Sequence, residues 1–382
     1  MKSVRLFLTA ALSMAANGVY ADLERYNLGE DGESISIGEY SDPAQISQEG
    51  KYLLYVGKAS NDYGTWRWNR ETGNREKIFD FSIGNIGSLS LDGKKVVFSE
   101  TRNVPDFPYV RNDVFVKDID TGSVQRVNFE FPINLISKPK LSGNGRFLYY
   151  GENPIHVFDL VNGDQKTIDV PSNGAPLKAS ADGRYLLVSS IEALTLLDIE
   201  AGTQTVIAES ENAHPMGWLG AYDLSQDGRY IVFAGNGAGM DRALRIFDRR
   251  SGQTSIVLTK ASGENLTVYS SVSISGDGRY VAFTSQDNDL VENDYNGVLD
   301  SFVLDRESYE IARVSVNAEG EETRLMSGRS VKISADGHYV VFHTNGLLEL
   351  GTTQQGVQGY VTNNPLYAPG YCKGYQEFSV AY

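Results

Sequence analysis

The sequence predicts an all-β fold: a seven-bladed β-propeller of four-stranded antiparallel blades, with the ring closed by the N-terminal strand. Three observations support this prediction. One turn sequence recurs seven times, each repeat has room for four short strands, and the last repeat lacks a fourth strand that the N-terminus can supply. The turn glycines lie roughly 40 to 60 residues apart, a period typical of repeat folds. They are Gly50, Gly93, Gly145, Gly183, Gly228, Gly278 and Gly337.

The repeat that begins at Ser271 illustrates how each unit forms a blade. "SVSIS" alternates polar and apolar residues, as a half-buried strand does. "GDG" favours a tight hairpin turn because Asp-Gly tolerates a positive φ angle. "RYVAFTS" supplies aromatic and β-branched residues for a second strand, and "DSFVLD" and "YEIARVSV" supply the third and fourth. Four antiparallel strands in each of seven units predict a seven-bladed propeller.

The last repeat predicts how the ring closes. "GYVTNN" occupies the place of a third strand, and no convincing fourth strand follows it. Near the N-terminus, "LERYNLGEDG" resembles "IARVSVNAEG", the fourth strand of the preceding repeat with the residues that follow it. We therefore expect a strand at about residues 23–28 to complete the last blade, which removes two exposed sheet edges.

Both ends of the chain are assigned to segments outside the propeller. Residues 1–21 combine Lys2 and Arg5 with a short apolar run and small final residues, which predicts a cleaved secretory signal. The propeller is assigned to residues 22–365 and a C-terminal tail to residues 366–382. The protein is therefore expected in the periplasm or outside the cell. No other stretch has the roughly 20 apolar residues that a transmembrane helix needs.

Charge and cysteine content narrow the classes of partner. The formal net charge is −15, or −17 without Lys2 and Arg5. Such an acidic protein, with no basic run, is not expected to bind nucleic acid. Cys372 is the single cysteine, so no internal disulfide can form. We expect a monomer whose partner is a protein, an anionic saccharide or another small molecule.

The segments "ISGDGRYVAFTS" and "NDYNGVLDSFVLDRES" resemble a known family. They are similar to the TolB-like (WD40-like) propeller repeats of exported bacterial proteins, in which S-x-D-G-(R/K)-x-(I/V)-x-F-x-S precedes D-x-F-V-x-D. The resemblance extends over about residues 43–364 and implies the propeller fold. It leaves the function open, because the family includes propellers attached to peptidases and many proteins without an assigned activity.

The first strand of each blade is expected to line the central channel. Because side chains alternate along a strand, one side chain of each first strand faces that channel. In chain order these residues are Gln45, Ser88, Lys140, Lys178, Asp223, Ser273 and Lys332, with Arg324 and Arg329 in the sequence that leads into the last blade. Three lysines and one aspartate predict a pocket for a carboxylate, a phosphate or an acidic sugar. The alternative is that lysine pairs with Asp223 and water fills the rest.

Aromatic and basic residues in the long loops predict a second ligand-binding surface, on the rim of the propeller. Its candidate residues are Trp66, Arg102, Arg111, His214 and Trp218. Aromatic side chains offer a large apolar face with a polar edge, which suits carbohydrates and peptides. Two alternatives stay open, namely that Trp66 is a strand residue packed between blades and that Trp218 plugs the core.

The loop "DNDLVENDYNGVLD" predicts a calcium site. Its candidate ligands are the side-chain oxygens of Asp287, Asp289, Asp294, Asn296 and Asp300. Calcium is bound by six to eight hard oxygens, and this loop supplies several. The loop departs from the EF-hand pattern because it lacks flanking helices and a glutamate at the twelfth position. The alternative is a solvated acidic loop ordered by Asx turns.

The sequence contains no recognisable nucleophile or zinc motif. G-x-S-x-G is absent, and the four histidines have no spacing typical of zinc ligands. The repeated turn aspartates are interpreted as structural, since they recur at equivalent places. We therefore interpret the protein as an exported, non-catalytic binding module whose ligand or protein partner docks on the long-loop face or in the lysine-bearing channel. The alternative is a lyase or hydrolase that acts on an acidic polysaccharide at the same face.

Overall fold

The computed structural model describes most of the chain between residues 23 and 367. The described residues are 23–28, 34–37, 44–59, 62–79, 85–103, 110–127, 138–170, 174–190, 192–209, 219–235, 242–260, 263–322, 327–345, 348 and 357–367. All regular secondary structure within these ranges is β-strand. No helix in them has the length and apolar character that crossing a membrane requires.

The described residues form seven four-stranded sheets. The first strand of the chain, β1 (Glu24–Arg25), belongs to the last blade. Blade 1 contains β2 (Gln45–Ile46), β3 (Tyr52–Ala59), β4 (Asp62–Asn69) and β5 (Arg75–Phe79). Blade 2 contains β6 (Asn85–Leu89), β7 (Lys95–Asn103), β8 (Val110–Asp118) and β9 (Val124–Arg126). Blade 3 contains β10 (Lys140–Leu141), β11 (Phe147–Tyr150), β12 (Ile155–Asp159) and β13 (Gln165–Ile168). Blades 4 and 5 contain β14 (Ala175–Ala179), β15 (Tyr185–Ser189), β16 (Ala193–Asp198), β17 (Thr203–Glu209); β18 (Leu219–Leu224), β19 (Tyr230–Gly235), β20 (Arg245–Asp248) and β21 (Gln253–Ile256). Blades 6 and 7 contain β22 (Val272–Ile274), β23 (Tyr280–Ser285), β24 (Asp300–Asp305), β25 (Ile311–Arg313); β26 (Ser327–Ile333), β27 (Tyr339–Thr344) and β28 (Gln358–Asn363).

The strands of each blade are antiparallel and follow one another from the channel outward, β2-β3-β4-β5 in blade 1 for example. The last blade has the order β26-β27-β28-β1, in which Glu24 pairs with Val361 and Arg25 with Tyr360. The predicted seven-bladed propeller and its closure by the N-terminal strand are therefore confirmed. The regular part of β1 is two residues long, shorter than the predicted strand.

Side chains hold the closing strand as they hold an ordinary fourth strand. Arg25 donates a hydrogen bond from Nη2 to Oε1 of Gln358, and Asn27 donates from Nδ2 to the same oxygen at 3.1 Å. In blade 6, Ser315 stands at the position of Asn27 and Asp300 at that of Gln358. Ser315 donates to Asp300 at 2.6 Å. The N-terminus thus reproduces the side-chain bonding of a complete blade.

The core of the protein lies between neighbouring blades. Where the ring closes, Val341 and Val361 of blade 7 pack in one buried cluster with Leu53 and Trp68 of blade 1. Blades 5 and 6, which are joined by the continuous chain, share a cluster of the same kind. Burial of apolar surface between blades is the dominant favourable contribution to such a fold. The first and last blades are therefore joined by the same force as the others.

The recurrent turn fixes the register of the first two strands in each blade. In blade 6, Ser275 donates to the Asp277 carboxylate at 2.6 Å and accepts the backbone N–H of Tyr280 at 2.9 Å. Asp277 also accepts the N–H of Arg279 at 2.9 Å. Gly278 has a φ angle of 78°, a conformation that residues with a Cβ rarely adopt. The structural interpretation of the turn aspartates is confirmed by these contacts.

The seven turns meet at one end of the channel in a ring of backbone hydrogen bonds. Each turn donates an N–H to the turn of the following blade, as Leu91 does to the carbonyl of Gly143 at 2.8 Å. Asp336 of blade 7 completes the ring by donating to Gln48 of blade 1 at 3.2 Å. We call this ring the collar; it contains Gln48, Leu91, Gly143, Ala181, Gln226, Gly276 and Ala335.

The beginning of the predicted C-terminal tail packs on the propeller. Tyr367 stacks on His338, with 4.4 Å between the ring centroids. Tyr280 donates a hydrogen bond from its hydroxyl to the carbonyl of Leu366 at 3.2 Å. The rest of the tail, with Cys372, and the predicted signal segment lie outside the described residues.

Candidate functional site: the central channel

The channel contains a cavity of about 250 Å³. The seven positions that strand alternation assigned to the channel all line it: Gln45, Ser88, Lys140, Lys178, Asp223, Ser273 and Lys332. In each blade the lining side chain lies two residues before the turn serine, so the turn sets which side chain faces inward. Ligand binding by these side chains stays a prediction.

The channel side chains of blades 1 and 2 bridge to the first strand of the following blade. Gln45 accepts the backbone N–H of Leu89 on Oε1 at 2.6 Å and donates from Nε2 to the carbonyl of Gly87 at 3.3 Å. Ser88 accepts the N–H of Leu141 on Oγ at 2.6 Å. These positions therefore have a structural role, since they bond edge amides that the blade itself leaves unpaired.

The channel side chains of blades 5 and 6 bridge in the same way and enclose a buried carboxylate. Asp223 accepts hydrogen bonds on Oδ2 from Ser273 Oγ at 2.7 Å and from the N–H of Ile274 at 3.1 Å. Its Oδ1 accepts the N–H of Leu224 at 2.9 Å. Ser273 Oγ in turn accepts the N–H of Ile333 at 3.3 Å. Both carboxylate oxygens are thus bonded within the wall of the channel.

Lysines occupy the other three channel positions, in blades 3, 4 and 7. The Nζ atom of Lys178 lies 3.5 Å from Oδ1 of Asp223; the lysine side chain is 50% exposed and the aspartate side chain 4%. Lys140 and Lys332 line the same cavity. The lysine–aspartate pair expected in the alternative interpretation is therefore present at Lys178. The four side chains together have a formal charge of +2 in an acidic protein.

The environment of Asp223 keeps its carboxyl group ionised. Burial on its own would raise the pKa of Asp223. The ammonium groups of Lys178 and Lys332, and hydrogen bonds from Ser273 and from the N–H of Leu224, outweigh burial and hold the pKa of Asp223 below its ordinary value. The carboxylate is consequently negative at neutral pH, and the positive potential of the cavity comes from the lysines.

The collar places one further side chain in the lining of the cavity, which sequence reasoning missed. Gln226 lines the cavity, and its Nε2 atom is buried without a hydrogen-bond partner in the described part of the chain. The backbone of Gln226 is bonded within the collar, to Gly276 and to Ala181. The signal was present in the turn "SQDG", where most of the other repeats have a smaller residue at this place.

Trp66 lies inside the first blade. It is in the middle of β4, 7% exposed, and packs in the cluster that joins blades 7 and 1. The Nζ atom of Lys77 lies 5.8 Å from the centroid of its ring. The structure thus assigns Trp66 to the blade interior, as the packing alternative holds, and the rim surface lacks it.

The other predicted rim residues are less fully described. Arg102 and Arg111 pair across the hairpin of β7 and β8, and Arg329 belongs to β26; the side chains of all three lie outside the described part of the structure. His214, Trp218 and Arg324 lie wholly outside the described residues. Ligand binding on the rim therefore stays a prediction.

The first part of the predicted calcium loop faces a lysine. Lys260 Nζ lies 3.2 Å from Asp289 Oδ1 and 3.6 Å from Asp287 Oδ2. Asp287 also accepts the backbone N–H of Thr267 at 2.9 Å. These two aspartates are therefore engaged by the neighbouring loop of the preceding blade. Sequence reasoning missed Lys260 because it lies 27 residues away from Asp287 in the chain, outside the acidic run.

The second part of the loop surrounds an arginine. The Nη1 atom of Arg313, whose side chain is 7% exposed, lies 2.8 Å from Glu322, 3.4 Å from Asp294 and 3.8 Å from Asp300. Asn296 donates to Asp300 at 3.1 Å. Burial and the nearby negative charge of Asp300, opposed by Arg313, raise the pKa of Asp294 to about 6. One guanidinium here occupies the position between carboxylates that calcium was expected to take.

The five predicted calcium ligands consequently form two separate groups. Within the described residues, no three histidine, cysteine, aspartate or glutamate side chains are arranged to hold a metal ion. The oxygens present face Lys260 and Arg313, so this arrangement does not fit calcium without a rearrangement of those cations. Calcium binding by the loop stays a prediction.

No family model matches the sequence, and no curated protein matches it. Several solved structures are similar in fold. The β-propeller domain of the Trilobed protease from Pyrococcus furiosus has a TM-score of 0.56 and 16% identity, covering 84% of this chain and 94% of that domain. Oligogalacturonate lyase in complex with manganese has a TM-score of 0.56 and 12% identity, covering 89% of this chain and 96% of the lyase.

TolB from Acinetobacter baumannii is also similar, with a TM-score of 0.42 and 19% identity over 56% of this chain. The matched part spans about half of that protein, 52% of its length. At these identities the likenesses establish the fold alone. The propeller fold that the resemblance in the sequence implies is confirmed by the seven four-stranded blades and by the likeness to the Trilobed protease propeller domain.

Proposed function

We propose that the protein is a binding module that holds an anionic small molecule or an acidic saccharide in its central channel. One observation carries the proposal: Lys140, Lys178 and Lys332 gather around one cavity that contains a single carboxylate. Low-dielectric walls concentrate such a field, so a confined positive site attracts anions even in a protein of net negative charge.

Residues 1–21 have the pattern of a secretory signal, and this pattern supports a proposal about the cellular location of the protein. We infer that the protein works in the periplasm or outside the cell and meets its ligand there. A protein partner on the long-loop face is the other form of binding that the sequence predicts. The channel has the stronger support, because its side chains are described and converge on one cavity.

The test removes two channel lysines. The double variant Lys140→Ala with Lys178→Ala is expected to bind trigalacturonate about tenfold more weakly than the wild type, a loss of about 1.4 kcal/mol. Isothermal titration calorimetry at low ionic strength measures the affinity. The matched control is Lys51→Ala with Lys94→Ala, since both lysines are outside the channel. Equal affinity of the channel variant and the wild type overturns the proposal.

The enzyme alternative is examined with polygalacturonate, the polymer of the same acidic sugar. Oligogalacturonate lyase shares the fold, which gives a lyase acting on an acidic polysaccharide a specific rationale. A lyase produces an unsaturated sugar that absorbs in the ultraviolet, and a hydrolase produces new reducing ends. We expect neither product after prolonged incubation with polygalacturonate. A product that disappears in the double lysine variant replaces the binding proposal with the enzyme.

A further inference from the structure

One backbone amide of each first strand faces the channel. In every blade the backbone N–H of the turn serine donates to a carbonyl of the second strand. Ser47 donates to the carbonyl of Tyr52 at 2.9 Å, and Ser180 donates to that of Tyr185 at 2.8 Å. In an antiparallel ladder the amide one residue earlier points to the opposite side, away from its own sheet. The residues that carry these amides all line the cavity.

Five of these amides have an acceptor on a channel side chain. In blades 2, 3, 6 and 7 the acceptor is the channel side chain of the preceding blade. These acceptors are, in that order, Gln45, Ser88, Asp223 and Ser273. In blade 5, Leu224 donates to Asp223 of its own blade. A buried amide without such an acceptor costs about 1–3 kcal/mol, which explains why the bridge recurs.

The two other amides belong to Ile46 in blade 1 and Ala179 in blade 4. The channel position of the preceding blade is Lys332 for the first and Lys140 for the second. An ammonium group has donors and no acceptor, so neither lysine can provide the bridge found elsewhere. At these two junctions the channel side chain and the next blade's amide are therefore both hydrogen-bond donors, and both residues line the same cavity. Gln226 adds a buried amide donor at the collar.

We propose that the channel binds a dianion through two donor pairs, Lys332 with the N–H of Ile46 and Lys140 with the N–H of Ala179. The pairs lie between blades 7 and 1 and between blades 3 and 4, so that three blades separate them on one side of the ring and four on the other. A carboxylate accepts several hydrogen bonds and matches the charge of each pair. The best ligand is therefore a short molecule with a carboxylate at each end.

The size of the cavity agrees with a short ligand. Its volume of about 250 Å³ is near the lower end of small-molecule sites, which are roughly 300–1,000 Å³. Asp223 adds one negative charge to the wall, and the Nζ atom of Lys178 lies 3.5 Å from that carboxylate. This inference rests on the proposed function and adds the number and position of the anionic groups.

The first experiment compares dicarboxylates with monocarboxylates of equal length. Isothermal titration calorimetry is run with the straight-chain acids from succinate to suberate and with the corresponding monocarboxylates. We expect one dicarboxylate to bind at least about tenfold more tightly than its monocarboxylate counterpart. Equal affinities overturn the two-point inference and leave anion binding in place. No binding of any of these acids, with binding of trigalacturonate retained, also overturns it without touching the proposed function.

The second experiment gives each amide the acceptor that it lacks. Lys332→Gln and Lys140→Gln introduce the side chain that bridges blades 1 and 2 through Gln45 and Leu89. Because each variant bonds the amide and removes the charge, each is expected to bind the dicarboxylate no better than the monocarboxylate. Lys94→Gln, on an exposed lysine, is the matched control and is expected to bind as the wild type does. Wild-type preference for the dicarboxylate in both channel variants overturns the assignment.

Discussion

Asn27 accepts on Oδ1 a hydrogen bond from the backbone N–H of Gly359 at 3.1 Å. The two residues lie near opposite ends of the described chain and meet only because the ring is closed. Asn27 is fully buried, and its Nδ2 also donates to the carbonyl of Ile35 at 2.8 Å. One side chain therefore connects the closing segment with the third strand of the last blade.

Asn27→Ala tests this connection. The substitution leaves the buried N–H of Gly359 and the carbonyl of Ile35 without their side-chain partner, so the free energy of unfolding is expected to fall by about 2 kcal/mol. Denaturant titration measures the loss. Asn74→Ala, on an exposed turn residue of blade 1, is the matched control with an expected change within about 0.5 kcal/mol. Similar stability of the two variants contradicts a role for Asn27 in closure.

Gly50 allows a second test of the contact between the last and first blades. A Cβ atom at Gly50 would lie 2.1 Å from Cδ2 of Tyr339, and Gly50 has a φ angle of 70°. Gly73 has a φ angle of 73° and nothing within 4 Å of its Cβ position. Both alanine variants incur the same backbone strain, and Gly50→Ala additionally displaces the tyrosine. The free energy of unfolding of Gly50→Ala is therefore expected to fall by about 1–3 kcal/mol more than that of Gly73→Ala.

Thermal or denaturant unfolding of Gly50→Ala and Gly73→Ala measures that difference directly. The same aromatic contact occurs between blades that the chain joins, for example between Tyr230 and Gly278. Equal losses in the two variants would mean that the Tyr339 ring moves aside at no cost, and the closing junction would then be looser than the structure indicates.

The residues that line the channel could be predicted from the sequence because each lies a fixed two positions before the serine of its own turn. In blade 1 the Ser47 side chain accepts the N–H of Tyr52 at 2.9 Å, and in blade 6 Ser275 bonds Tyr280 in the same way. Each turn therefore fixes its own hairpin, and counting back two residues finds the channel position without reference to the rest of the ring.

Contacts between loops that are distant in the chain could not be predicted in the same way. Arg313 and Glu322 do not belong to the acidic run, yet they form the centre of its second part. The length of the β3–β4 hairpin was not predicted either. Its two strands have eight residues each, and this length carries Trp66 into the blade. Such features depend on which loops face one another, and the repeat pattern does not encode that.

Arg313→Ala is expected to destabilise the protein strongly. The arginine is buried among Asp294, Asp300 and Glu322, and its removal leaves three carboxylates close together without a cation. Loss of one partner from such a buried group costs about 3–5 kcal/mol. The matched control is Arg126→Ala in blade 2, an arginine that is 30% exposed and lies 2.7 Å from Asp113. Its loss in denaturant titration is expected to be smaller.

The same variant examines the predicted calcium site. Without the guanidinium, the oxygens of Asp294, Asn296 and Asp300 are open to a cation, so excess calcium is expected to raise the melting temperature of Arg313→Ala more than that of the wild type. Magnesium at the same ionic strength is the control for general screening. No difference between calcium and magnesium in either protein would contradict calcium binding by this loop.

Asp223→Asn is expected to lower stability in a pH-dependent manner. The folded protein holds the pKa of Asp223 below its ordinary value, which is about 3.9 in an unfolded chain. The ionised form therefore contributes stability that is fully present above the unfolded pKa and is lost as the pH falls through the lower, folded pKa. At pH 7 we expect the variant to be about 2 kcal/mol less stable, because the bonds from Ser273 and Ile274 then end on a neutral amide.

The difference in stability between wild type and Asp223→Asn identifies the contribution of this one carboxylate. It should stay constant from pH 8 to about pH 5 and shrink below about pH 4, because protonation then makes the wild-type side chain neutral as well. Asp164→Asn, on an exposed aspartate of blade 3, controls for general acid effects and should show little difference at any pH. A gap that persists unchanged at low pH would mean that the asparagine perturbs packing rather than charge.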